Sequence, residues 1–113
     1  MSSLFVFPGQ GAQKPGMLHR LPQEPEVLDC LQQASDVIGE DALTLDSEAA
    51  LASTRSVQLC LLIAGVAGAR LLMRGGQAPD YVAGLSIGAY AAAVVAGSLD
   101  YRDAVRLVHL RGE

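Results

Sequence analysis

The sequence predicts an α/β fold, and three observations carry that prediction. First, Gly84-Leu85-Ser86-Ile87-Gly88 is a Gly-x-Ser-x-Gly motif set between two different local patterns. Residues 80–83 before it are, after Asp80, apolar and partly β-branched, which suits a buried strand, and residues 89–97 after it are alanine-rich, which suits a buried helix. Second, Leu4-Phe5-Val6-Phe7 reads as another short buried strand, ended by Pro8 and followed by the glycine-rich loop at 9–13. Third, residues 55–74 form a nearly all-round apolar helix, which belongs at the centre of a fold.

Composition narrows the class. The chain has 113 residues, enough for one small core. It is 50% hydrophobic but only 4% aromatic and has no tryptophan, so Ala, Val, Leu and Ile must fill that core. A net charge of −4 without any basic run gives no electrostatic reason to bind nucleic acid. Cys30 and Cys60 lie far apart inside apolar helical patterns and are expected to be buried, reduced thiols of a cytoplasmic protein. Neither makes a metal-ligand spacing with His19 or His109, so neither a metal nor a cofactor is expected. No signal peptide is evident at the N-terminus. Residues 81–99 are uncharged and long enough to suggest a bilayer span, but Gly84, Ser86, Gly88 and Gly97 interrupt them, and no membrane association is expected.

The remaining elements follow in order. Residues 24–38 have helical spacing, with Val27, Leu28, Leu31, Ala34, Val37 and Ile38 on one apolar stripe and Gly39 as the C-cap. Residues 44–52 suit a short helix or turn with Asp46 or Ser47 as its N-cap. Gly75 and Gly76 stop the long helix at 55–74. The last helix starts after Asp100, a good N-cap, with Asp103 in its first turn. Arg102, Arg106, His109 and Glu113 share one side of it, and Ala104, Leu107, Val108 and Arg111 share the other. His109 reads as a solvated surface residue. Arg111, aligned with apolar neighbours, is either snorkelling past the core or held inward for an anion. Two strands do not make a stable parallel sheet, so the segment is expected to be part of a larger domain or to need partner strands.

The chemistry concentrates at Ser86. A serine on a sharp strand-to-helix turn is a nucleophile elbow. The helix behind it aims free N–H groups at any oxyanion formed there. The loop at 9–13 imitates two phosphate-binding motifs and fails both. A dinucleotide fingerprint needs glycine where Lys14 stands, and a P-loop needs Lys and Ser/Thr where Met17 and Leu18 stand. The loop is better read as the source of a second oxyanion-hole N–H, with a plain strand-end turn as the alternative.

Four segments together resemble the malonyl-CoA:acyl-carrier-protein transacylase family. Residues 5–13 (Phe-Val-Phe-Pro-Gly-Gln-Gly-Ala-Gln) are similar to its opening signature, and residues 84–92 to its active-site elbow. Thr54-Arg55-Ser56-Val57-Gln58 resembles its threonine-to-glutamine segment before a buried helix, and Leu110-Arg111-Gly112 its carboxylate-binding arginine motif. The resemblance implies that the chain is the N-terminal part of an α/β-hydrolase-like acyltransferase domain, with short parallel strands flanked by helices. It implies that Ser86 is the acyl-accepting nucleophile and that the N–H groups of Gln10 and Ile87 form the oxyanion hole. Arg111 would pair with the malonyl carboxylate, and Gln58 would line the pocket. The partners implied are malonyl-CoA and an acyl-carrier protein with a thiol prosthetic group. Two departures, Leu85 where the family has histidine and Ala89 where it has glutamate, resemble the branch serving malonate decarboxylase, its epsilon subunit.

The family's catalytic histidine and its ferredoxin-like small subdomain match nothing within residues 1–113. His19 and His109 occupy no catalytic position of the family. The 113-residue piece is therefore expected to lack its general base and to be inactive alone. Three readings compete: a transacylase segment, an α/β-type serine hydrolase, and a non-catalytic assembly module docking through an incomplete sheet. The hydrolase reading gives no reason for Arg111 or for the Gln10 loop.

Overall fold

The apolar run Leu4–Phe7 and the run Tyr81–Gly84 both form strands, β1 and β2. They pair in parallel, with Leu4 opposite Tyr81 and Phe7 opposite Gly84. The computed structural model describes residues 4–7, 11, 13–74, 76, 81–84 and 88–111, with the backbone alone for the two strands and Arg111. Parallel strands need a long crossover. Here it contains α1 (Pro25–Ile38), two short 3₁₀ turns (Ala42–Asp46 and Ala50–Ala52) and α2 (Thr54–Arg74). After β2 come α3 (Gly88–Val95) and α4 (Tyr101–Arg111). The expected order of strand, helix, helix, strand and two helices is found, with boundaries shifted by a residue or two.

Helix α1 begins with Pro25 at its first position, where a missing N–H costs nothing. It ends at Gly39, whose φ of 76° lies in the left-handed region and whose N–H donates to the Ser35 carbonyl. Its buried face is Val27, Cys30, Ala34 and Ile38. Leu28 is not on that face and is 50% exposed, contrary to the expected stripe. One residue turns a helix by about 100°, so Leu28 falls beyond the edge of the seam set by Val27 and Ala34, while Cys30 falls within it.

Helix α2 is central, as expected. It packs against α1, α3 and α4, and Leu59, Cys60, Leu62, Ile63 and Val66 are fully enclosed. It is long and apolar enough to cross a membrane, but 61% of its apolar window is covered within the fold. The uncharged run at 81–99 is divided into β2, α3 and a turn in which Gly97 has φ +82°.

Helix α4 is capped by Asp100, whose Oδ1 accepts from the Arg102 N–H at 2.9 Å, and Asp103 lies in its first turn. The buried seam is Tyr101, Ala104, Val105 and Val108. Leu107, expected on that side, is 46% exposed. The spacing i, i+3, i+4, i+7 from Tyr101 defines a face that excludes position 107. Tyr101 closes the core from the other side: its hydroxyl donates to the Cys30 carbonyl at 2.8 Å, and the Arg70 guanidinium lies 5.0 Å from its ring centre. Both cysteines are buried and free. Burial pushes the Cys60 thiol up to about 12, with the nearby Asp46 charge adding to it. It also pushes Cys30 up, against the opposing charge of Arg70. Neither thiol is activated as a nucleophile.

Candidate active site

The parallel register sets the geometry. Phe7 and Gly84 are opposite one another at the C-terminal ends of adjacent strands, a spacing of about 4.8 Å. The two strands therefore end at neighbouring points on the same edge of the sheet. In open α/β sheets, that edge, outside the carboxyl ends of the strands, is where ligands bind. Behind it, α3 starts at Gly88, which is buried, and the helix packs against both strands. Ser86, Ile87 and Gln10 lie outside the described residues, as does the side chain of Arg111, whose backbone ends α4.

Gln58 is described in full. The segment 54–58 forms the start of α2, in keeping with the helix expected over 55–74. This placement puts Gln58 on an inward face, where it is 7% exposed, and its Oε1 is buried without a hydrogen-bond partner among the described residues. An orphaned buried acceptor costs about 1–3 kcal/mol, so natural cores rarely keep one without a use. A polar ligand or a water offering a donor would relieve it. Among the described residues, this atom is the observation at the expected pocket that itself asks for a ligand.

Two polar clusters escaped the sequence reading. In the first, the carboxylate of Asp46, 2% exposed, accepts from the backbone N–H groups of Leu18 and His19 at 2.9 and 3.1 Å. The same oxygen lies 2.7 Å from His19 Nδ1. The Asp46 carbonyl also accepts from the Gly16 N–H at 2.8 Å. Asp46 thus does not cap the turn it was expected to cap. Asp41 caps the first 3₁₀ turn, and Ser47 Oγ accepts from the Ala50 N–H of the second. Asp46 instead ties down the loop at 15–20, which follows the Gln10 segment. Its partners lie 27 and 28 residues away, beyond the reach of any local pattern.

Burial alone would raise the Asp46 carboxyl, but the hydrogen bonds from His19 and Leu18 outweigh it and hold the group below the usual carboxylate range. A lowered folded-state value stabilises the protein above the unfolded value of about 3.9. That stabilisation is lost as the pH falls through the lowered value. Asp46→Asn should therefore cost about 2 kcal/mol at neutral pH, with the gap to the unsubstituted protein closing below about pH 4. Urea unfolding between pH 7 and 2.5 checks this, and a gap that stays constant across the range contradicts it.

The second cluster corrects the reading of His109. It is not a solvated surface residue. It is half-buried, and its Nδ1 accepts from Arg55 Nε at 2.8 Å. The sequence signal for it was weak: two polar residues, 54 positions apart, each at the edge of an apolar seam.

The family model of an acyl transferase domain matches residues 4–113. The chain belongs to the acyl transferase domain family. It is 46% identical over 114 residues to the malonyl CoA-acyl carrier protein transacylase of Escherichia coli K12, covering 96% of this chain and 37% of that protein. The crystal structure of the Synechocystis malonyl-CoA:ACP transacylase superposes with a TM-score of 0.92 at 38% identity, over 99% of this chain and 39% of that one. A type II polyketide acyl-carrier protein in complex with its malonyl-transacylase superposes with a TM-score of 0.90 at 42% identity, over 99% of this chain and 38% of that one. The chain thus spans a little over a third of the length of each of these relatives.

Proposed function

We propose that the protein to which this segment belongs transfers a malonyl group from malonyl-CoA to the thiol of an acyl-carrier protein. The observation that carries the reading is the match of residues 4–113 to the acyl transferase family, at 46% identity to a malonyl transacylase. On this reading the chain is the N-terminal part of the large subdomain. Ser86 Oγ attacks the thioester carbonyl, CoA leaves as the thiol, and a malonyl-serine ester remains. The N–H groups of Gln10 and Ile87 bind the oxyanion as it forms. Arg111 holds the distal carboxylate, and the buried Gln58 lines the pocket. The carrier thiol then attacks the ester and restores Ser86. Proton transfer to and from Ser86 requires a base, and a histidine outside residues 1–113 supplies it.

The acceptor we favour is the carrier subunit of malonate decarboxylase. Leu85 and Ala89, where the family has histidine and glutamate, support that branch. The alternative acceptor is the carrier of fatty-acid synthesis.

Radiolabelled malonyl-CoA tests the reading. The full-length protein should acquire one malonyl group on Ser86 and pass it to a carrier thiol. The polypeptide of residues 1–113 should label slowly or not at all. Rapid hydrolysis with no transfer would favour a serine hydrolase, and no ester on Ser86 would favour an assembly module. Comparison of the two carriers as acceptors decides the branch.

A further inference from the structure

The reaction as proposed gives no role to the linkage of Arg55 with His109 and Glu40. Arg55 stands in the first turn of α2, 17% exposed. Its Nε–H donates to His109 Nδ1 at 2.8 Å, and its Nη2 donates to Glu40 Oε2 at 3.3 Å. A guanidinium keeps its protons and has no acceptor, so His109 Nδ1 must supply a lone pair. The ring then carries its proton on Nε2. The linkage ties the C-terminal end of α4 to the N-terminal end of α2, with Glu40, just past α1, as a third anchor.

These are the helix ends that bear the residues assigned to the acyl group. Gln58 lies three residues after Arg55 on α2, and Arg111 lies two residues after His109, about 3 Å further along α4. The geometry points to Arg55 and His109 as positioning residues for acyl selection. The pair holds the register of the last turn of α4 against the first turn of α2, and so sets where Arg111 stands relative to Gln58. The inference rests on the malonyl-transfer reading.

The chemistry makes that register matter. A guanidinium binds a carboxylate through two parallel N–H···O bonds, which tolerate little displacement. An error of about 1 Å at a reacting or binding group can cost on the order of 100-fold. An acetyl group ends in a methyl and makes no such demand. Loss of the linkage should therefore penalise malonyl transfer selectively.

The test uses the full-length protein with malonyl-CoA and acetyl-CoA as alternative donors, with kcat and KM measured for each. His109→Ala removes the acceptor. His109→Gln offers an amide oxygen to Arg55 in its place. We expect His109→Ala to lower kcat/KM for malonyl-CoA roughly tenfold more than for acetyl-CoA, chiefly through KM, and His109→Gln to restore most of the difference. Equal losses for the two donors, or no rescue by glutamine, overturn the inference. Should the alanine variant not fold, the ¹⁵N shifts of the His109 ring in the unsubstituted protein still decide. A neutral ring with bare Nδ1 and protonated Nε2 supports the linkage, and the opposite tautomer overturns it. If the unsubstituted protein transfers no malonyl group, the proposed function itself fails, before any variant is made, and the inference falls with it.

Discussion

Ser86→Ala is expected to remove malonyl transfer from the full-length protein, with kcat/KM falling by roughly 10⁴-fold or more. Water lacks the position that a covalent nucleophile holds. The two thiols do not substitute, since both are buried and burial holds them protonated. Malonyl-CoA should still bind, because the carboxylate contact does not depend on the hydroxyl. Equilibrium binding of malonyl-CoA alongside the transfer assay separates the two effects. Residual transfer within tenfold of the unsubstituted protein would place the nucleophile elsewhere.

Arg111→Ala has the second largest expected effect, and it acts on selectivity. Removing one partner of a buried, hydrogen-bonded charge pair costs about 2–5 kcal/mol. A loss on the order of 100-fold in kcat/KM for malonyl-CoA follows, while acetyl-CoA should be used as well as before or better. The competition between the two donors should move toward acetyl. A uniform fall for both donors would mean that Arg111 supports the end of α4 rather than binding the carboxylate. The His109 variants should reproduce this shift in a weaker form, since they act on the register of Arg111 and leave its charge in place.

Much of the fold was legible because its signals are local. Gly39 and Asp100 cap the helices they were expected to cap, because a left-handed glycine and an aspartate beside free N–H groups act over three or four residues. The all-round apolarity of residues 55–74 placed α2 at the centre, since such a helix has no face suited to water. The four family segments identified the acyl transferase domain, because their residue types and order recur together. The exact seams were less legible. Leu28 and Leu107 are apolar and one residue off the buried stripe, and burial is decided by which neighbour covers a face.

The site divides along the same line. The sequence by itself determined the chemistry to expect: a serine at an elbow, a glycine-rich loop, a glutamine and an arginine in family order, and hence a malonyl group and a carrier thiol. The tertiary structure alone decided which of the described residues lie beside one another. It set Phe7 opposite Gly84, so that two strands separated by most of the chain end at one sheet edge. It placed Gln58 inside α2 with an unanswered acceptor, turned Asp46 from a cap into the anchor of a distant loop, and joined His109 to Arg55. These pairings join positions 27 or more residues apart. Side-chain hydrogen bonds of this kind depend on where packed helices bring their ends, and periodicity along the chain carries no record of that.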